Sequence, residues 1–176
     1  MIREVHLGGT YDESASGVTE AGLQLKEASA DGGQSSLTVA FFGVGGDKIA
    51  RPRGPLSVYD LGWEFRGVLA QSRGIHSIVQ QADVVHIHGI WGPHCRIGAR
   101  IARALGKPYT ISIHGMLTSW ALSRAAMKKA IYYSMIEKKN LMKASCLRVL
   151  TEAEAQDCRR LGLPNPIAII PHAISE

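Results

Sequence analysis

Two His-Gly pairs stand at the ends of neighbouring apolar segments. His88-Gly89 closes the run 83–88, and His114-Gly115 closes the run 108–114. An imidazole donates or accepts a hydrogen bond near neutral pH, and a following glycine lets the chain turn sharply or lets a ligand approach the backbone. A single histidine at a strand end more often caps the strand, but the repetition favours a function for both.

His86 and His88 form an H-x-H pair. In a strand this spacing places both rings on one face, as in metal hydrolases. A metal-hydrolase barrel needs about 250 residues, more than the 176 present, so metal chemistry is the minor alternative and no metal is expected. His94 and Cys95 follow Pro93 at a predicted helix start and are expected to be surface or packing residues.

A Gly-rich turn joins the first apolar run to the first helical pattern. It carries Gly8, Gly9 and Gly17, and exposed N–H groups at a helix start can bind an anion. The turn lacks the G-x-G-x-x-G pattern, so a nicotinamide dinucleotide is weakly supported. Trp91 and Trp120 each follow a His-Gly pair and offer flat apolar faces to a sugar, although both are equally typical of a core.

Apolar, β-branched runs alternate with helical patterns along the chain. Near-continuous apolar strands joined by helices predict an α/β, doubly wound, mostly parallel sheet with helices on both faces. Both His-Gly pairs then reach the carboxyl edge of the sheet, where open α/β sheets bind ligands. The predicted strands are 3–7, 36–42, 83–88, 108–114, 146–150 and 167–170, and the predicted helices are 17–30, 62–80, 94–105, 119–143 and 151–161.

Local signals mark several boundaries. Ser16 can cap the first helix, Thr151 with Glu154 resembles a capping box, and Gly106 and Gly162 stand where helices stop. The segment 43–60 is rich in Gly and Pro and is predicted to be irregular, which is typical of a functional or mobile connection.

The helical pattern 119–143 is basic and amphipathic. Such a helix can lie on an anionic membrane, which gives a peripheral contact through residues 124–143. The alternative, which we favour, is a solvated helix whose apolar stripe covers the sheet. Its basic residues are Arg124, Lys128, Lys129, Lys138, Lys139 and Lys143, and its apolar stripe is Met127, Ile131 and Met135.

Composition narrows the partners. The net charge of +5 favours acidic partners such as phosphates, nucleotides or anionic lipid head groups. Nucleic acid is not supported, because aromatics are only 6% and the basic residues are spread along the chain. Three scattered cysteines and the absence of an apolar run of about 18 residues predict a cytoplasmic protein, at most membrane-associated.

The ordered motifs resemble those of the retaining glycosyltransferases of the GT-B fold, family 4. Residues 16–40 resemble the Gly-Gly turn, first helix and second strand, and 82–91 resemble the D-hydrophobic-hydrophobic-H-x-H pattern. Residues 106–117 resemble the K-P-…-H-G strand. Residues 150–175 resemble the T-x-x-E helix and the passage towards the second domain. The resemblance covers nearly the whole chain and is to the Rossmann-like amino-terminal domain.

The resemblance implies transfer of a sugar from a nucleotide-sugar donor to a glycan or lipid-linked acceptor, with retention and without a metal cofactor. By matching positions, His114 is the catalytic histidine that faces the donor sugar. Ser16 and Gly17 approach the donor phosphate. The acceptor and cleft residues are placed by location: His88, Gly89, Trp91 and Gly115.

Two departures from the family pattern stand out. Ser16 replaces the first glycine of the turn, and residues 171–175 read Pro-His-Ala-Ile-Ser where the family has Pro-Asn-Gly-hydrophobic-Asp. The donor-binding carboxyl-terminal domain has no counterpart in residues 1–176. We therefore expect an acceptor-side domain, inactive alone, that serves polysaccharide or glycolipid synthesis. The alternative is a non-catalytic Rossmann-like module that binds a sugar, an acceptor or a partner subunit.

Overall fold

One seven-stranded parallel sheet organises the chain. The computed structural model describes residues 2–9, 35–41, 56–60 and 68–171. The strand order is β3-β2-β1-β4-β5-β6-β7, and every pairing is parallel. The predicted doubly wound α/β class is confirmed. The strands are β1 Ile2–Gly8, β2 Ser35–Phe41, β3 Leu56–Asp60, β4 Val84–His88, β5 Tyr109–Ser112, β6 Cys146–Val149 and β7 Ile167–Ile169.

The strand order reverses between β1 and β4. The chain builds β1, β2 and β3 outward on one side, then returns to place β4 on the other side of β1 and continues outward to β7. Open α/β sheets bind ligands at the carboxyl ends of the strands beside such a reversal. A ligand site is therefore expected at the carboxyl ends of β1 and β4.

All six predicted strands are present, and a seventh lies where no strand was predicted. The segment 43–60 was expected to be irregular, and this is wrong for Leu56–Asp60, which forms β3. The Gly- and Pro-rich residues before it conceal the strand in the sequence. Its partner determines the structure, because β3 pairs with β2 from Leu37↔Leu56 to Phe41↔Asp60. Residues 43–55 lie outside the described ranges.

Three predicted helices form, two of them with ends shifted by one residue, and the fourth is broken into pieces. The third was predicted at 62–80 and ends at Gln81, and its predicted start at 62–67 lies outside the described residues. The helix predicted at 17–30 lies outside the described residues. The helices are α1 Val68–Gln81, α2 Pro93–Ala104, α3 Ser119–Ser123, α4 Ala126–Tyr132, a π-helix Tyr133–Glu137, α5 Lys138–Met142 and α6 Glu152–Arg160.

The continuous helix predicted at 119–143 is wrong. Ala125 has a left-handed φ of 56° between α3 and α4, which ends one helix and redirects the next. Residues 133–137 then wind as a π-helix. A π-helix inserted between α-helices rotates the residues that follow it, and such insertions are frequent at functional sites.

The predicted helix ends that fall within the described residues are confirmed. The Thr151 hydroxyl accepts from Glu154 N at 3.3 Å, and Glu154 Oε2 accepts from Leu150 N at 3.1 Å, one residue before the N–H of an ordinary capping box. Gly106 and Gly162 follow α2 and α6 with φ of 64° and 73°. Ser16 lies outside the described residues.

One face of the sheet is an apolar core. Val5, Leu7, Val85, Ile87 and Ile111 are buried on that face, and burying each such side chain contributes about 1.5–3 kcal/mol. Helices α1 and α2 supply further members of the same core. The helix α2 approaches closely because residue 98 is glycine; a Cβ there would lie 2.4 Å from Leu7 Cδ1.

Among the described helices, none is long and apolar enough to cross a membrane. Cys95, Cys146 and Cys158 are all unpaired, as their scattered positions predicted, and Cys95 and Cys158 are buried.

Candidate functional site

The second face of the sheet is polar at its centre. Because side chains alternate along a strand, Glu4 and His6 of β1 lie on the face opposite Val5 and Leu7. On β4, His86 and His88 alternate with buried neighbours in the same way. A doubly wound sheet normally has apolar residues on both faces, so this row of polar side chains is a departure that calls for a function.

A direct histidine contact bridges the reversal between β1 and β4. His6 and His86 are register partners, and their rings stack with centroids 4.5 Å apart. His6 Nδ1 lies 2.8 Å from His88 Nε2 in a ring-to-ring hydrogen bond, with centroids 5.1 Å apart. The predicted placement of His86 and His88 on one face is confirmed, and His6 joins them there.

Thr110 and Glu4 contact the histidine row on the side away from the carboxyl edge. Thr110 Oγ1 is hydrogen-bonded to His86 Nδ1 at 2.8 Å. Glu4 Oε2 lies 3.5 Å from His6 Nε2 and 3.7 Å from His86 Nε2. The Nε2 atoms of His6 and His86 therefore face the Glu4 carboxylate. Their Nδ1 atoms are bonded to His88 and Thr110.

The second His-Gly pair forms the centre of a tight turn after β5. Met116 N donates to Ile113 O at 3.2 Å, and the two central residues, His114 and Gly115, have φ of 51° and 73°. Positive φ at both central positions is typical of a type I′ turn, which explains the glycine after the histidine. A non-glycine residue in this region is strained by about 1–3 kcal/mol, and such strain clusters at functional sites.

The two His-Gly pairs meet at the carboxyl edge, as predicted. The rings of His88 and His114 stack with centroids 5.8 Å apart. Gly89 N donates to Ser112 O at 2.8 Å, and Gly89 has a φ of 83°. A Cβ on Gly89 would lie 3.2 Å from Met116 Cε, so the turn after β5 packs directly on the residue that follows β4.

His94 holds the His88 backbone in place. Its Nε2 is 2.9 Å from His88 O, so the ring donates there. Burial lowers the pKa of His94 to about 4, and the imidazole is therefore neutral at physiological pH. Gly92 leaves room for the ring, since a Cβ at that position would lie 2.5 Å from His94 Nδ1. The expectation that His94 and Cys95 are packing residues is confirmed for both.

Trp91 has an unusual backbone conformation, held by a buried carboxyl group. Its φ is 71°, and its N–H donates to Glu137 Oε1 at 3.2 Å. Glu137 lies in the π-helix, is fully buried, and its other oxygen accepts from Cys95 Sγ at 3.4 Å. Burial raises the pKa of Glu137, which its hydrogen bonds partly offset. Lys129 Nζ lies 5.6 Å from the Trp91 ring centroid.

The structure thus brings together most of the predicted site. His88, Gly89, His114 and Gly115 share one edge, and Trp91 lies in the loop that begins at Gly89. Ser16 and Gly17 lie outside the described residues. Trp120 is 70% exposed, which contradicts its alternative as a core residue.

Sequence reasoning missed Glu4, His6 and Glu137. A signal existed for the first two, because Glu4-x-His6 repeats the period-two polar pattern of His86-x-His88. Glu137 follows the apolar Ile136 in a basic segment. Its burial depends on the π-helix, which the local sequence does not indicate.

The apolar stripe of the basic segment is exposed, so its predicted packing on the sheet is wrong. Met127, Ile131 and Met135 are 77%, 54% and 74% exposed. The left-handed residue Ala125 redirects the chain just before Met127 and Ile131, and Met135 lies within the π-helix. Beside Met135 opens a cavity of about 960 Å³ between α1, α2 and α5, with Arg73, Arg96, Arg100, Arg103 and Lys139 among its lining residues.

Residues 26–173 match the family model of the glycosyl transferase 4-like domain, and the chain belongs to this family. Its GT-B, Rossmann-like character agrees with that membership. A comparison with curated proteins gives no match.

Solved structures with the same fold include HepE, TcCGT1 and MurG. HepE of Anabaena, in complex with UDP and glucose, has a TM-score of 0.70 at 14% identity, over 99% of this chain and 45% of that one. TcCGT1 in complex with UDP gives 0.64 at 10% identity, over 99% and 52%. MurG of Acinetobacter baumannii gives 0.50 at 10% identity, over 98% and 47%. The chain spans about half the length of these structures.

Proposed function

We propose that the chain is the acceptor-side domain of a retaining glycosyltransferase that moves a sugar from a nucleotide-sugar donor to a glycan or lipid-linked acceptor. The observation that supports this most directly is the meeting of His88 and His114 at the carboxyl edge of the sheet, in a chain of the glycosyl transferase 4-like family. The proposal places this chemistry in the cytoplasm, in cell-surface polysaccharide or glycolipid synthesis.

In this proposal His114 contacts the donor sugar. Its turn presents the imidazole at the edge, and the stacked His88 ring restricts its orientation. A ring held in one orientation loses little freedom when it donates to a sugar hydroxyl, which strengthens the interaction. Ser16 and Gly17 are proposed to bind the donor phosphate through backbone N–H groups.

The acceptor is proposed to lie against Gly89, Trp91 and Gly115. Gly115 is half-buried and leaves part of its backbone accessible after His114, whereas Gly89 is buried and directs the chain towards Trp91. The half-buried indole of Trp91 offers a flat apolar face to a sugar ring. The hydrogen bond from Trp91 N to Glu137 fixes the direction of that loop. A carboxyl-terminal glycosyltransferase domain would complete the donor site, and no metal cofactor is needed for transfer.

The segment 124–143 is proposed to contact an anionic membrane from which a lipid-linked acceptor is taken. Exposed Met127 and Met135 provide apolar contact, and the neighbouring lysines provide attraction to anionic head groups. Cosedimentation with phosphatidylglycerol vesicles should fall in Met127→Ser/Met135→Ser. Equal binding to neutral vesicles would contradict the electrostatic part.

A binding titration tests the transferase function. The chain, alone and mixed with a carboxyl-terminal domain of the same family, is titrated with UDP- and GDP-sugars, and products are analysed with a lipid-linked acceptor pool. We expect binding and turnover in the mixture only. His114→Ala should lower turnover by roughly 10- to 100-fold, the effect of losing one strong hydrogen bond.

His76→Ala is the matched control, because His76 is an exposed histidine on α1, away from the carboxyl edge. It should leave turnover unchanged. If the folded pair binds no nucleotide sugar, the transferase function fails, and the non-catalytic binding module takes its place.

A further inference from the structure

We propose that Glu4, His6 and His86 form a binding site for one divalent transition-metal ion, with zinc as the ion to test. The site lies on the polar face of the sheet, below the carboxyl edge. It is separate from the residues proposed to contact sugar and does not depend on the proposed function.

The three side chains offer suitable donor atoms at suitable distances. Their nearest ligand atoms, one per residue, all lie within 4.8 Å of one another. Glu4 Oε2 is 3.5 Å from His6 Nε2 and 3.7 Å from His86 Nε2. Ligands on a tetrahedral zinc, with bonds of about 2.0–2.1 Å, lie about 3.3 Å apart. The two distances to Glu4 exceed this value by only a few tenths of an ångström. The rings of His6 and His86 are stacked with centroids 4.5 Å apart, so one ring must tilt before both in-plane lone pairs reach the same ion.

The chemistry of the set favours a borderline metal ion. Two imidazoles and one carboxylate bind zinc at sites that keep a fourth position open, and they also bind iron(II) in facial triads. Calcium and magnesium prefer all-oxygen sites, so they are disfavoured here. The H-x-H pair does not itself converge on a metal, because His88 Nε2 bonds to His6 Nδ1 instead.

Both imidazoles have a hydrogen-bond partner on the nitrogen that faces away from Glu4. In known sites a metal-bound imidazole normally donates its other ring N–H to a carboxylate, a backbone carbonyl or a water, which fixes the ring. Here His86 Nδ1 is bonded to Thr110 Oγ1 at 2.8 Å, and His6 Nδ1 to His88 Nε2 at 2.8 Å. With protons on both Nδ1 atoms, the Nε2 lone pairs of His6 and His86 lie on the side of the Glu4 carboxylate, an arrangement that a cation between the three groups would stabilise.

The backbone positions these ligands before any ion binds. His6 and His86 are register partners on adjacent central strands, and Glu4 is two residues before His6 on the same face. Sites built on central strands hold their geometry better than sites on loops. Glu4 and His86 retain 24% and 29% of their side-chain exposure, which provides a path for the ion.

Zinc titration of the untagged, metal-free chain tests the site. We expect one equivalent of zinc by elemental analysis, a rise in Tm that saturates with zinc, and visible d–d bands when cobalt(II) replaces it. Glu4→Gln and His86→Asn keep similar shapes and should weaken zinc binding by more than about 100-fold. Thr110→Val removes only the hydrogen bond behind His86 and should weaken it by about tenfold.

The controls separate this site from adventitious binding. His76→Gln removes an exposed histidine elsewhere, and Cys146→Ser removes the half-buried thiol of β6. Both should bind zinc as the parent does. The proposal is overturned if no stoichiometric zinc binds, which would mean that a proton joins the three groups. It is also overturned if Glu4→Gln and His86→Asn bind zinc undiminished while retaining the parent's circular dichroism.

Discussion

The two faces of the sheet are formed by the same strands but differ in the polarity of their side chains. One face presents Val5, Leu7 and Ile87 to helices and excludes water. The other presents His6 and His86, which stack on one another and are hydrogen-bonded to His88 and Thr110 respectively. Backbone hydrogen bonds join the strands, and the apolar face supplies the packing against the helices, so the polar face is available for chemistry.

The largest expected difference between the faces comes from two adjacent residues of β4. Ile87→Ala should lower the free energy of unfolding by about 3–4 kcal/mol, because it removes a fully buried side chain and leaves a cavity. His86→Ala should lower it by about 1 kcal/mol, since it removes one hydrogen bond on the half-exposed face. Urea unfolding measures both. Equal losses would show that the two faces contribute alike.

The second prediction concerns His94, the neutral histidine that is hydrogen-bonded to His88 O beside the polar face. The pKa of His94 is about 4 when folded, below its usual value near 6.5. The unfolded chain therefore takes up a proton first as the pH falls. The stability contributed by the neutral His94 is fully present above about pH 6.5 and is lost as the pH falls from there to about pH 4.

The loss attributable to His94 should reach roughly 2–3 kcal/mol between about pH 7.5 and pH 4.5. His94→Gln can still donate to His88 O but has no proton to gain, so its stability should fall less over this interval. Urea unfolding across the pH range compares the two proteins. Parallel curves for parent and variant would contradict a buried, neutral His94.

The third and smallest effect concerns the space around the same ring. Gly92 has a φ of −100°, which alanine adopts readily, so its glycine is required for room. Gly92→Ala should lower the free energy of unfolding by about 2 kcal/mol, because the new Cβ displaces His94. In a His94→Ala background the same change should be nearly neutral. Additive losses in the double variant would show that the ring is not the obstacle.

The sequence foretold the framework better than the site. Strands 83–88 and 108–114 were recognisable because buried parallel strands are almost continuously apolar, and their shared direction brought His88 and His114 to one edge. β3 was not predicted, because pairing with β2 and not local composition makes Leu56–Asp60 extended. Long-range pairing leaves little trace in a five-residue segment.

The missed site residues have two different causes. Glu4 and His6 were overlooked because the short run 3–7 was interpreted as an apolar strand, so its alternation of polar and apolar residues was missed. The same alternation in β4 was noticed. The role of Glu137 depends on the π-helix, a change of winding that rotates one carboxyl group inward to reach Trp91 N. Such rotations arise from packing, so periodicity based on an ordinary α-helix cannot reveal them.

The contact between His6 and His88 joins residues 82 positions apart. It cannot form until β4 has emerged from the ribosome, and until then the polar face of β1 lacks its partners on β4. Closing so long a segment is slow relative to helix formation. We therefore expect the histidine row to assemble among the last events of folding, so that partly synthesised chains carry the residues of the site without the site itself.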